Sequence, residues 1–279
     1  MMLTEGTPIR EYRLISKLSH RLYSQIWIAA NINTGNQVAL TVFLYTQASS
    51  AEQFRNLQNK TNVMRSSTHP NIVNVIDIFI HGDQCVMVMQ IVPGISLKVL
   101  IASIGPIPYK RYSRIFTQIL EALHYIHERG ITHSDLKPSN IMVDVDHDDT
   151  VKLLDMGISL DMIPCQTFQS EPETMTINYL SPERIKDWKS FDHRSDIFGL
   201  GVVLYEMLTG SRPFGRDESS DYQIMCEIVN VPLPDPRQIY PYIPQRIIGI
   251  LNKMCEKDPD RRFQSIRDVQ RAFCEHDSD

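Results

Sequence analysis

The order of hydrophobic and polar positions divides the chain into two parts of different period. In the first part, Tyr12–Leu18, Gln25–Ala30 and Gln37–Leu44 are rich in β-formers and read as strands. The turn Asn33-Thr34-Gly35-Asn36 joins the last two as a hairpin. Residues 51–66 lack Gly and Pro and carry Phe54, Leu57, Val63 and Met64, which predicts a single helix. Two more apolar runs, Ile72–Ile80 and Cys85–Val92, flank the tight turn His81-Gly82-Asp83. Pro93-Gly94 then breaks the pattern, and most of the chain beyond it is expected to be helical.

The clearest helix spans Tyr109 to Arg129, with Tyr112, Ile115, Phe116, Ile119, Leu120, Leu123 and Ile126 on one stripe and Gly130 just past its end. A second, Asp196 to Leu208, is apolar nearly all round, the signature of a helix in the middle of a domain. Prolines 232, 234, 236, 241 and 244 mark loops that separate it from two shorter helices ending the chain. No internal repeat or low-complexity segment interrupts this order. The predicted fold class is α+β, a small antiparallel β-sheet lobe with one helix and then a larger, mainly α-helical lobe, with the boundary near Pro93.

Composition narrows the function classes. At 279 residues, 42% hydrophobic and 22% charged, the chain has ample apolar content for a core. A net charge of -5 and a pI near 6.0 argue against a protein that coats nucleic acid. The five cysteines are scattered and never paired as C-x-x-C, so neither a disulfide framework nor a structural zinc site is expected, and a reducing cytoplasm is the expected location. The first residues lack the apolar stretch of a signal peptide. The most apolar window, Val86–Ile104, is interrupted by Gln90, Pro93, Gly94 and Lys98, so no membrane span is predicted.

Candidate chemistry lies between the helix ending at Arg129 and the loop at Asp146, in Ile131-Thr132-His133-Ser134-Asp135-Leu136-Lys137-Pro138-Ser139-Asn140. Asp155-Met156-Gly157 comes directly after the strand-like Val151–Leu154. Asn140 and Asp155 offer hard oxygen ligands suited to Mg²⁺. Lys137 offers a cation to a transferring phosphoryl oxygen, and Asp135 a base to orient a hydroxyl. Any one of these residues alone would read as a solvated loop side chain; the four at this spacing read as a site.

H-x-D-L-K-P-x-N followed by D-x-G resembles the catalytic and metal-binding loops of Hanks-type protein kinases. The resemblance extends along most of the chain. Thr176 to Glu183 looks like the end of an activation segment, and Asp196-Ile197-Phe198-Gly199-Leu200-Gly201 like the buried central helix. Asp258-Pro259-Asp260-Arg261-Arg262 looks like the closing motif, and His69-Pro70-Asn71-Ile72-Val73 like the entry to the fourth strand. It implies one kinase-like domain over 1–279, with lobes of about 10–92 and about 93–275, in the serine/threonine branch. It further implies ATP with Mg²⁺ or Mn²⁺, and a protein substrate or partner protein. Asp135 would be the catalytic base, Lys137 the γ-phosphate contact, and Asn140 and Asp155 the metal ligands. Ile26, Ala39 and Met142 would sandwich an adenine, Met89 would be the gatekeeper, and the backbone of Gln90 and Val92 would form the hinge contacts. His133 would hold backbone rather than act as acid or base, and Arg262 would pair with Glu183.

The departures from the family pattern are concentrated in the small lobe. The glycine-rich loop is replaced by Ser19-His20-Arg21-Leu22-Tyr23-Ser24, whose side chains oppose close approach to phosphates. Thr41 stands where the strand lysine belongs, and no lysine lies between Lys17 and Lys60. Lys60 falls where the partner glutamate belongs, and no acidic residue lies between Glu52 and Asp77. Ser134 replaces the arginine that reads a phosphorylated activation loop. The chain thus admits two readings. One is a phosphotransferase with a relocated cation, Lys60 first and Arg21 in reserve; Lys17 is expected to point outward. The other is a pseudokinase, a binding or scaffolding module. The intact quartet tips the reading to the enzyme.

Overall fold

The computed structural model describes residues 3–20, 24–43, 61–62, 64–82, 84–155, 177–188, 190–215 and 220–274. The chain divides into two compact units between Val92 and Pro93.

The first unit is an antiparallel six-stranded sheet of β1 (Pro8–Ile9), β2 (Tyr12–His20), β3 (Ser24–Asn31), β4 (Gln37–Phe43), β5 (Val75–His81) and β6 (Gln84–Met89), in the order β1-β2-β3-β4-β6-β5. The predicted hairpin is present. Asn31 Oδ1 accepts the amides of Asn33 and Thr34, and Gly35 closes the turn at φ 75°. Residues 61–62 and 64–65 are helical, at the end of the predicted helix; the rest of that helix lies outside the described residues.

The alternation of side chains assigns the two faces of the sheet different work. Trp27, Ala29, Val38, Leu40, Val42, Val86 and Val88 join Leu3, Ile9, Tyr12, Leu14 and Phe79 in the buried core of this unit. The opposite face carries the cross-strand rows Ile26–Thr41–Met87 and Ile28–Ala39–Met89. Lys17 pairs with Trp27 and lies over its ring at 4.9 Å, on the core-face side, away from Thr41.

The second unit has a three-stranded sheet, β7 (Ile95–Ser96), β8 (Ile141–Asp144) and β9 (Thr150–Leu153), among helices α1 (Leu97–Ile104), α2 (Tyr109–His127), α3 (Pro182–Lys186), α4 (His193–Thr209), α5 (Asp221–Asn230), α6 (Gln245–Met254) and α7 (Ile266–Cys274). The expected stripe of α2 is its buried face, with Ala122 added. Helix α4 is buried from Ser195 to Thr209. Gly201 lets it approach the chain after α6: a Cβ there would lie 2.5 Å from Cys255 Sγ. Gly94, at φ 95°, passes so close to β8 that a Cβ would lie 2.2 Å from the Val143 carbonyl oxygen.

Three described helices escape the hydrophobic pattern: α1, α5 and the five-residue α3. The apolar window around α1 reads as interrupted, yet Ser96 caps its N-terminus through the Val99 amide and Gly105 ends it. Helix α5 buries only Ile224 and Ile228, too thin a stripe to register, and its start is fixed by a capping box between Ser220 and Gln223. Among the described residues no helix is long and apolar enough to cross a membrane.

Candidate active site

The site is built in the second unit, on the loop between α2 and β8. Pro138 opens a 3-10 turn, Pro138–Asn140, which the Asn140 amide closes on the Lys137 carbonyl at 2.9 Å. The turn folds Asn140 back on Asp135: its Nδ2 donates to the Asp135 carbonyl at 2.9 Å and to Oδ2 at 2.8 Å. Lys137 Nζ donates to Oδ1 of the same carboxylate, also at 2.8 Å. Asp135 is 8% exposed and Asn140 1%, so the carboxylate is fixed by charge and hydrogen bonding in a mostly dry place, open on one side. Such a group is oriented before any substrate arrives, which is what a base needs.

Beneath this loop lies Asp196, on the first turn of α4. It accepts the amides of His133 at 2.7 Å and Ser134 at 2.8 Å, and His127 Nε2 at 2.7 Å. Burial pushes the Asp196 carboxyl up, but the His127 hydrogen bond, the charges of His127 and His133 and the Ser134 amide hold it below the ordinary carboxylate value. His133 is fully buried, in keeping with a structural role. Ser134 is left-handed at φ 65°, as is Asp155 at φ 56°, and such backbone outliers cluster at functional sites. Asp155 follows β9, whose end is tethered to the loop by the Leu154 amide on the Asn140 carbonyl at 2.8 Å.

The donor set fits a hard divalent cation. Asn140 spends its amide N–H groups on Asp135, so Oδ1 is the atom it could offer a cation, and Asp155 could add a carboxylate oxygen. No group of three or more His, Cys, Asp or Glu converges among the described residues. A cation here would complete its shell from water and phosphate oxygens, as Mg²⁺ does.

The remaining expected site residues are spread over both units. Met142 lies on β8, half-buried, opposite Lys152. In the first unit Ala39 stands opposite Met89, and Ile26 opposite Thr41, all on the face away from the core. The Gln90 amide donates to the Asn74 carbonyl at 3.0 Å, so its own carbonyl is the group left to meet a ligand. Val92 is half-buried at the end of the unit. Thr41, where the resemblance expects a lysine, is a neutral side chain 4% exposed. Lys60 and Arg21 lie outside the described residues.

The expected Glu183–Arg262 pair is present and bidentate, at 2.8 and 2.7 Å. Arg262 also donates to the carbonyls of Glu256, Arg194 and Lys257. Burial raises the Glu183 pKa, but the Arg262 hydrogen bond and charge and the Ser195 hydroxyl bring it below the usual carboxylate value. Sequence reasoning missed His127 and Arg184. His127 sits in the last turn of α2, and Arg184 on α3 donates Nη1 to the Ser134 carbonyl. Their partners lie far along the chain, and no local spacing announces them.

Comparison with known proteins places this geometry. The family described as the protein kinase domain matches residues 12–274. PrkC, a serine/threonine-protein kinase of Bacillus subtilis (strain 168), is 29% identical over 259 residues, covering 93% of this chain and 39% of PrkC. The chain therefore spans about two fifths of that relative's length. A double mutant of the PknI kinase domain from Mycobacterium tuberculosis superposes with a TM-score of 0.77 at 23% identity over 99% of each chain, a likeness of fold. Rad53 in complex with AMP-PNP also gives a TM-score of 0.77, at 25% identity, over 94% of this chain and 64% of that one.

Proposed function

Because the chain belongs to the protein kinase domain family, in its Hanks-type serine/threonine branch with the bilobal α+β kinase fold, we propose that it is a phosphotransferase that moves the γ-phosphate of ATP to a serine or threonine hydroxyl of a protein. The observation that carries this reading is the Asp135 carboxylate, held by Lys137 and Asn140. Asp135 orients the attacking hydroxyl and takes its proton at a carboxylate oxygen. Lys137, already beside that carboxylate, lies ready to meet a transferring phosphoryl oxygen. Asn140 and Asp155 would hold Mg²⁺ or Mn²⁺, which when bound would supply positive charge to offset the negative charge of the phosphates. Ile26, Ala39 and Met142 contact the adenine, Met89 is the gatekeeper, and the Gln90 and Val92 backbone forms the hinge contacts. Lys60, with Arg21 in reserve, supplies the phosphate-binding cation that Thr41 cannot.

Buried, neutral Thr41 favours a second reading, a pseudokinase that binds a partner protein as a scaffold. Thermal shift with ATP, with and without Mg²⁺ or Mn²⁺, separates the two. The phosphotransferase reading expects metal-dependent stabilisation in wild type and its loss in Asp155→Asn, with the metal-free melting temperature preserved. Stabilisation that ignores the metal, or an Asp155→Asn variant with an unchanged metal response, contradicts it.

A further inference from the structure

Ser134 is gripped through both of its backbone polar groups, and only one grip belongs to the catalytic loop and its support on α4. On its N-terminal side, the Ser134 amide donates to Asp196 Oδ1 at 2.8 Å. On its C-terminal side, the Ser134 carbonyl accepts Nη1 of Arg184. Arg184 comes from α3, fifty residues away, and is 4% exposed. Its guanidinium lies over the rings of Trp188 at 4.2 Å and Phe191 at 4.4 Å. Ser134, Ser181, Arg184, Ser195 and Asp196 line one small cavity, so the left-handed Ser134 residue stands between a carboxylate on its N–H and a guanidinium on its C=O.

A buried guanidinium is costly unless its charge and donors are used. The peptide that leads into Asp135 consists of the Ser134 C=O, which faces the Arg184 cation, and the Asp135 N–H, which donates to the His133 carbonyl at 2.8 Å. Turning that peptide opposes both bonds, while Asp196 holds the N–H of the peptide before it. The next residue is Asp135. Any rotation of the peptide swings the Asp135 carboxylate, and small misplacements of a reacting group are expensive in rate. The loop has serine where a side chain of its own could carry charge, and the charge comes instead from α3.

We infer that Arg184 is a positioning residue for Asp135: through the Ser134 carbonyl it fixes the peptide that presents the base. The inference deepens the phosphotransferase reading and rests on it. Arg184 itself is assigned no contact with nucleotide or substrate, so its removal acts on turnover rather than on nucleotide binding.

Two measurements on the full chain test it, with Arg184→Gln and Arg184→Lys beside wild type. In steady-state phosphorylation of a generic basic protein, Arg184→Gln should lower kcat by at least about tenfold, with KM for ATP within about twofold of wild type. Arg184→Lys keeps a cationic donor for the carbonyl and should recover most of the lost kcat. Hydrogen exchange read by mass spectrometry should show faster exchange over residues 131–141 in Arg184→Gln, but not in Arg184→Lys, with the α4 amides unchanged. An Arg184→Gln enzyme with wild-type kcat overturns the inference, as does a Lys variant as slow as the Gln variant. Should wild type transfer no phosphate, the phosphotransferase reading fails by itself. Exchange then still decides the role of Arg184: unchanged protection over 131–141 in Arg184→Gln overturns it, and selective loss of that protection supports it.

Discussion

At the scale of single residues, two side chains are each fixed by several partners at once. Asp135 is fixed by Lys137 and Asn140, and Arg262 directs its guanidinium to Glu183 and three carbonyls. The Arg262 side chain is fully buried, whereas the Glu183 side chain keeps 17% of its exposure. Truncating the arginine strands a largely buried carboxylate and should cost about 3–5 kcal/mol. Urea unfolding of Arg262→Ala checks this, and a midpoint equal to wild type would show that the pair does not stabilise the unit. Asp135, Lys137 and Asn140 were legible in the sequence because one short loop carries all three and a proline forces the turn between them. Arg184 was not, because it meets the loop from α3 by way of a backbone carbonyl, and a carbonyl leaves no trace in residue type.

At the scale of elements, the turn between β8 and β9 is tied to α2 by charge. Asp149, at φ 54° with a side chain 4% exposed, accepts Arg111 at 2.7 Å and Arg114 at 2.6 Å, while the Gln118 side chain bonds the Asp149 carbonyl and the Val151 amide. Burial raises the Asp149 pKa, but the two arginines outweigh it and hold the carboxyl below its ordinary 3.8. The folded state therefore binds this proton less readily than the unfolded chain. Its contribution is complete above the ordinary carboxylate range and is lost as pH falls below it, through the folded value. Glu183 and Asp196 act in the same direction. Asp149→Asn should cost about 1–2 kcal/mol near neutral pH, between the values for surface and buried pairs, since the arginines are partly exposed. It should also flatten the acid loss, read as unfolding midpoints from about pH 7 down to about pH 3. A variant with wild-type stability and acid slope would show that this staple does not hold the turn. Strong stripes and tight turns made α2, α4 and the β3–β4 hairpin legible, while α1 and α5 depend on capping residues that a hydrophobic pattern does not weigh.

At the scale of the whole molecule, the second unit carries the residues that the family resemblance expects of a phosphotransferase and the first departs from that expectation, and that contrast is the feature to be explained. The second unit carries Asp135, Lys137, Asn140 and Asp155, the proposed base, phosphate contact and metal ligands, on one loop and one strand end. In the first unit, the sheet face away from the core carries the rows Ile26–Thr41–Met87 and Ile28–Ala39–Met89, and no charged residue stands in either row. That face suits an apolar base better than a phosphate, so in the phosphotransferase reading the cation comes from outside these rows. That Thr41 stands where the resemblance expects a lysine is legible in the sequence, but a replacement is set by three-dimensional reach, which spacing does not encode. Transfer of labelled γ-phosphate from ATP to a generic basic protein, or to the chain itself, tests the central claim most directly. A relocated-cation phosphotransferase gives transfer by wild type, a fall of about 10²–10⁴-fold in Asp135→Asn, and a marked loss in Lys60→Ala or Arg21→Ala. Equal, background-level signal in all four proteins would contradict it and leave a binding module built on a kinase fold.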